Sequence, residues 1–471
     1  MTTVASESLY ICPGESHPIS RSVHLSRLAA YYPKCRDCAL RNDTGQLSKH
    51  TVARIQTTQR RAQRRSLFAK EGVRGIYLNE LDRRQAGKIA SALAGLLWEE
   101  APRIGRSENT RKGSRRIGPA VVVGHDERPS SPDIVTAAAA ALRLAGCQVI
   151  DIQATTKPCF WFAVEHLQAS AGIFVTGAGC DPSWTGMDFV LRGALPVSAG
   201  AQLDVLQQRS EKHLSRPARH AEPQRMFRAA VPYEASLWRH FHALRPLRVC
   251  CACPSRLVMS TLESIFDTLP CTLLAVDVPR RARDLSDSAD ADMSRLSTAV
   301  AEHDAHLGVL IDDDGQRCAF LDEQGDLVAP RDVTRAIADL MLGEHPGATI
   351  VVEESACSET APEIEALGGT CAAGGATLVE MSQTVRAQNA IFGGGDSGCF
   401  WFRESFPACD AVLTLAAMLG VLSRSDETFS SVVGSLATDE ASHGPLPQES
   451  VIGEEVAEAA HRAASDDGTA R

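Results

Sequence analysis

The sequence predicts an α/β protein of several domains, and three observations lead there. From Ser66 onward, short apolar β-branched runs alternate with helical segments. The chain has 471 residues, enough for about three domains that each bury their own core. Hydrophobic residues make up 44% and charged residues 23%, an ordinary globular balance that excludes global disorder.

The strongest run of elements begins with AVVVG at 120–124, which reads as a strand buried on both faces. A helix follows, with Ser130 or Ser131 available as its cap, Pro132 in its first turn, an apolar face from Ile134 to Leu144, and Gly146 as its stop. A strand at 148–152, a helix at about 160–168 and a strand at 172–176 complete a β-α-β-α-β series. Such a series makes a doubly wound layer whose sites lie in the loops after strand C-termini, so the loop GAGCDPSWTG at 177–186 is the first place to look for chemistry.

Ahead of this body lies a cysteine- and histidine-bearing head. Cys12, Cys35 and Cys38, with His17 or His24, could complete a tetrahedral zinc site, since Cys35 and Cys38 form half of a zinc knuckle. The alternative is that these are incidental thiols, with the histidines packing a small helix at 23–32. Arg54, Arg60, Arg61, Arg64 and Arg65 then form a basic connector, read as a solvated linker or, less favoured, a contact for nucleic acid or an acidic partner. After Ser423 the chain turns polar and acidic, and the tail is expected to be disordered apart from one short helix near 454–464.

A net charge of -10 argues against a whole-protein grip on nucleic acid. No uncharged apolar stretch approaches the roughly 20 residues of a membrane span, and the opening residues lack a signal-peptide pattern. With fifteen scattered cysteines, an odd number, the expected location is cytoplasmic and the thiols are expected to be reduced.

Four segments carry a family resemblance. VVVGHDERPSSPD from Val121, VTGAGCDPSWTG from Val175, LGVLIDDDGQR from Leu307 and FGGGDSGC from Phe392 follow one another as the motifs of the α-D-phosphohexomutases do. The chain resembles that family from about Phe68 to Leu422, including an opening motif at Val73, Arg74 and Gly75. The resemblance implies three consecutive α/β/α domains with mixed sheets, at 67–197, 198–322 and 323–436. These follow a head at 1–53 and a connector at 54–66, and precede a tail at 437–471. It also implies transfer of phosphate between the C1 and C6 oxygens of a hexose, through a phosphoserine and with magnesium.

Residue by residue, the resemblance is incomplete. The family's T-A-S-H-N-P loop carries phosphate on its serine, and that position is Ala178 here, with Gly179 and Cys180 at the following histidine and asparagine. Thr176, Asp181 and Ser183 are the alternative acceptors nearby. The metal motif D-G-D-G-D-R becomes Asp312 to Arg317, leaving Asp312, Asp314 and the Gln316 carbonyl as a weak magnesium set. The sugar loop G-E-x-S-G-H keeps Ser397 and Gly398 but has Gly395 and Cys399 at its polar positions. Upstream, the family's histidine and lysine fall on Ala376 and Glu380, the second a reversal of charge. No R-x-S-G-T-E-P phosphate loop follows Ser423, so the family's closing domain is expected to be missing. The expected function is a catalytically inactive or impaired phosphomannomutase/phosphoglucomutase-like protein. Its role would be regulatory, scaffolding or sugar-phosphate sensing, with a protein partner reached through head or tail. The alternative is an active mutase with a non-standard acceptor.

Overall fold

The computed structural model describes most of residues 10–55, then residues 66–100, 118–200, 202–212, 224–375, 377–405 and 409–436. The arginine connector, Ala376 and the acidic tail lie outside the described residues.

The first sheet is built from β1 (Phe68–Ala69), β2 (Gly72–Ile76), β3 (Ala120–His125), β4 (Gln148–Ala154), β5 (Ala171–Val175), β6 (Trp184–Leu191), β7 (Leu195–Pro196) and β8 (Gln224–Met226). Its order is β1-β2-β6-β5-β3-β4-β8, with β7 on β6. β5, β3, β4 and β8 run parallel, and β6, β2 and β1 continue antiparallel. Because β8 comes from residues 224–226, this sheet reaches past the boundary expected at residue 197.

β3 shows why its sequence is apolar at consecutive positions. Val122 faces a core shared with Phe160, Phe174 and Ile150, while Val121 and Val123 face a second core with Ile134, Ala138 and Leu93. Both faces are covered by helices, so polar alternation has no place. The helix Ser131–Leu144 presents Ile134, Val135, Ala138, Ala139 and Leu142 inward at helical spacing, and ends where Gly146 takes φ +84°. Neither serine caps it through its side chain, contrary to expectation. The Ser131 hydroxyl is instead donated to Asp126 at 2.5 Å, and Ser130 makes no capping bond. The next helix starts at Lys157, three residues earlier than its apolar face suggests, because Thr156 accepts from Cys159 N and Pro158 suits the first turn.

A second sheet has β9 (Arg248–Ala252), β10 (Thr272–Val276), β11 (Leu307–Ile311), β12 (Cys318–Leu321) and β13 (Leu327–Val328), in the order β10-β9-β11-β12-β13. A third has β14 (Thr349–Val352), β15 (Thr370–Ala373), β16 (Phe392–Gly394) and β17 (Trp401–Phe402), in the order β15-β14-β16-β17. Each joins parallel strands to an antiparallel edge. The helix Ala411–Leu422 is apolar nearly all round and buried accordingly. One contiguous core carries Phe160 of the first layer, Leu262 and Phe320 of the second, and Ile350 and Leu415 of the third. Among the described residues, no helix is long and apolar enough to cross a membrane.

Candidate functional site

Three loops meet where the sheets adjoin: 176–183 after β5, 312–317 between β11 and β12, and 395–399 after β16.

The first is lashed down from beneath by Arg128, whose side chain is 1% exposed. Its guanidinium donates to the carbonyls of Asp181 (2.9 Å), Cys180 (3.0 Å) and Trp184 (3.4 Å), and to Asp313 Oδ2 at 2.8 Å. Asp126 braces the other end, accepting from Gly177 N at 3.1 Å and Arg128 N at 3.0 Å. Gly177 is required here, since a Cβ would lie 2.5 Å from the Trp184 carbonyl and 3.0 Å from the Arg128 guanidinium. Ala178 brings a methyl group to this loop and no oxygen. Thr176 is fully buried, and its Oγ accepts from Ala178 N at 2.9 Å. Asp181 and Ser183 are exposed. The Cys180 thiol is pushed up by burial, against the pull of Arg74 and Arg128, so it is held as a weak nucleophile.

The second loop is a tight turn closed on itself. Asp312 Oδ1 accepts from Gly315 N and Gln316 N, both at 3.0 Å, and Gly315 sits at φ +82°. Its outward oxygens face cations of the same chain. Arg317 Nε is 3.3 Å from Asp312 Oδ2, Arg128 holds Asp313, and Lys157 Nζ is 3.6 Å from Asp314 Oδ2. Lys157 also lies 2.9 Å from Asp188 Oδ2, while Arg74 takes Asp188 Oδ1 at 2.5 Å. Burial and the neighbouring Asp312 push the Asp314 carboxyl well up, against the pull of Lys157. Burial also works to raise Asp188, but Arg74 and Lys157 outweigh it and hold that carboxyl below the usual range.

These residues do not fit magnesium. A hard dication needs carboxylate oxygens with free lone pairs in near-octahedral array, and here they are committed to backbone N–H groups and to protein cations. Gln316 is buried, and its side-chain nitrogen finds no hydrogen-bond partner among the described residues. Among the described residues no cluster of three or more His, Cys, Asp or Glu is arranged to hold a metal.

The third loop adjoins the second, since Cys318 N donates to the Gly398 carbonyl at 3.0 Å and Arg317 pairs with Cys399. The Glu353 carboxylate fills it, accepting from Asp396 N (2.7 Å), Ser397 N (2.9 Å) and the Ser397 hydroxyl. Ser397 and Gly398 are therefore together as expected, with the Ser397 hydroxyl spent on Glu353. Burial raises the Glu353 carboxyl, against these donors.

The residues 65–213 match the model of the phosphoglucomutase/phosphomannomutase alpha/beta/alpha domain I. A Xanthomonas campestris relative named for phosphohexose mutases is 26% identical over 381 residues, covering 78% of this chain and 79% of the relative. A Salmonella typhimurium phosphomannomutase is 27% identical over 341 residues, covering 68% and 73%. Residues 65–213 thus match a phosphohexomutase domain, and the chain as a whole is similar to the α-D-phosphohexomutases. Its fold is that of a phosphoglucomutase/phosphomannomutase family protein from Burkholderia thailandensis, with a TM-score of 0.69 at 23% identity over 79% of this chain and 80% of that one.

Set against the family's motifs, Glu380 has a structural use. It forms a capping box with Thr377 at the start of the helix Leu378–Ala387, so the reversed charge satisfies a helix end. In the head, nothing among the described residues supports the zinc expectation. Cys12, Cys35 and Cys38 are buried, and burial together with the other two sulfurs raises the Cys35 thiol. Among the described residues no histidine joins them: His17 is exposed beside Ser16, and His24 stacks on Tyr10 and pairs with the Asp43 carbonyl. A guanidinium nitrogen of Arg27 lies 3.0 Å from Cys12 Sγ, a place a metal cannot share with it.

The phosphohexomutase motifs did not point to Lys157, Asp188 or Glu353. The only local sign of Lys157 is a lysine at the first turn of a helix, where the helix dipole disfavours a cation.

Proposed function

We propose that this phosphohexomutase-family chain no longer transfers phosphate and acts as a regulatory or sugar-phosphate-sensing scaffold, reaching its protein partner through its head or tail. The carrying observation is Ala178 in the loop after β5, a methyl group at the family's phosphoserine position. Phosphoryl transfer needs an in-line nucleophile, and an error of about 1 Å costs ~100-fold. Thr176 is sealed and spent on Ala178 N, and Asp181 and Ser183 point to solvent from a loop that Arg128 holds in one shape. The neutralised 312–317 loop supports the same reading, because developing charge on the phosphoryl oxygens would lack its metal. The sensing role draws its support from the bridge between Arg317 and Cys399, which sets the 395–399 loop beside the 312–317 loop.

Incubation with glucose 1,6-bisphosphate and magnesium, followed by intact-mass measurement, tests the loss of transfer: the expected spectrum contains no phosphate adduct, and a stoichiometric adduct overturns it. Calorimetry with mannose and glucose phosphates tests sensing. Saturable heat without added magnesium is expected, and its absence removes that role.

A further inference from the structure

The Lys157 ammonium sits between Asp188 of β6 and Asp314 of the 312–317 loop. It is 2.9 Å from Asp188 and 3.6 Å from Asp314, and its backbone N–H donates to the Asp314 carbonyl at 3.1 Å. The residue is 8% exposed, so it is no surface lysine that has strayed inward. It also opens the helix Lys157–His166, where a cation works against the helix dipole. Burial and helix position both oppose a charge there, and only the carboxylates favour it. Around it carboxylates and cations interleave: Asp188 meets Arg74 and Lys157, Asp312 meets Arg317, Asp313 and Asp126 meet Arg128, and Asp314 meets Lys157. Arg280, paired with Glu127 at 3.3 Å, closes the edge beside Asp313.

We propose that Lys157 is a resident counter-ion, taking the electrostatic place of a divalent cation between Asp188 and Asp314, and that this ammonium keeps the 312–317 loop free of metal. The family's dication and this lysine are mutually exclusive occupants of one pocket of negative charge. Arg317 and Arg128 neutralise Asp312 and Asp313, while among the described residues Lys157 alone pairs with Asp314. Its removal therefore leaves Asp314 and Asp188 without their shared cation and restores the demand for one.

The test is titration with manganese(II), read by loss of the free-ion electron paramagnetic resonance signal, on the full chain and on Lys157→Met. The full chain is expected to leave the signal unchanged. Folded Lys157→Met is expected to take up one equivalent at least roughly tenfold more tightly, reversed by magnesium and lost on adding Asp312→Asn. Lys157→Gln, which removes the charge but keeps an N–H donor for Asp188 and leaves both carboxylates in place, is read the same way should the methionine variant not fold. Stoichiometric uptake by the unaltered chain that Asp312→Asn abolishes overturns the proposal. So does a folded Lys157 variant that binds no more tightly than the unaltered chain.

Discussion

The Glu353 carboxylate stands where a side chain on Gly395 would begin. A Cβ at residue 395 would lie 2.5 Å from both the Cβ and Oε2 of Glu353. The family's glutamate at 395 and this chain's glutamate at 353 therefore compete for one volume, and the chain has kept the second.

Gly395→Ala is expected to destabilise the protein by about 1–3 kcal/mol through overpacking. Most of that cost should vanish in a Glu353→Gly background, a coupling of about 1–3 kcal/mol in a double-mutant cycle measured by urea denaturation. Additive effects would show that the two residues do not share the space.

Arg128→Ala is expected to cost about 3–5 kcal/mol, since it leaves Asp313 and Asp126 without their buried cation and frees three loop carbonyls. Arg128→Lys should recover little of it, because an ammonium cannot span the same acceptors as a planar fork. Denaturant midpoints of the two variants check this, and near-equality of Arg128→Lys with the unaltered chain would contradict it.

The buried Asp410 gives a pH signature. It caps the helix Ala411–Leu422 and accepts from the Tyr233 hydroxyl at 2.7 Å, yet burial raises its carboxyl to about 6. A carboxyl raised on folding holds its proton more tightly in the folded state. Its contribution is therefore fully present below about pH 4 and is lost as pH rises through about 6. Asp410→Asn keeps the cap and does not titrate. Its stability relative to the unaltered chain should rise by about 2 kcal/mol between pH 4 and 6.5, and a pH-independent difference between the two proteins would refute the assignment.

Ala178→Ser alone should not restore phosphorylation. The new hydroxyl would enter a loop whose neighbouring Asp313 is held by Arg128 and whose Asp314 faces Lys157, with no metal to steady the phosphoryl group. Intact mass after bisphosphate treatment checks this, and a phosphoserine adduct on the variant would mean that the site is still assembled.

The parts of the fold legible in the sequence were those set by local periodicity. β3, the helix Ser131–Leu144, β4 and β5 follow from apolar runs, alanine-rich spacing and glycine stops, each a property of neighbouring residues. The loss of the phosphate carrier at Ala178 was also legible, because it needs only the motif. What was hidden lies in pairings across the chain: Lys157 with Asp188 and Asp314, Arg128 with Asp313, and Glu353 with residues 396 and 397. Such contacts leave no period. Spacing also cannot show that Asp312 meets Arg317 of its own turn, that Asp314 meets Lys157 from a distant helix, or that Arg27 lies against Cys12.

A coupled mutase assay on mannose and glucose phosphates, with magnesium and bisphosphate activator and protein purified from a host lacking its own mutase, is the most direct measurement. No turnover above the protein-free rate is predicted. Sustained interconversion that disappears on changing Asp181 or Ser183 to alanine would contradict the account.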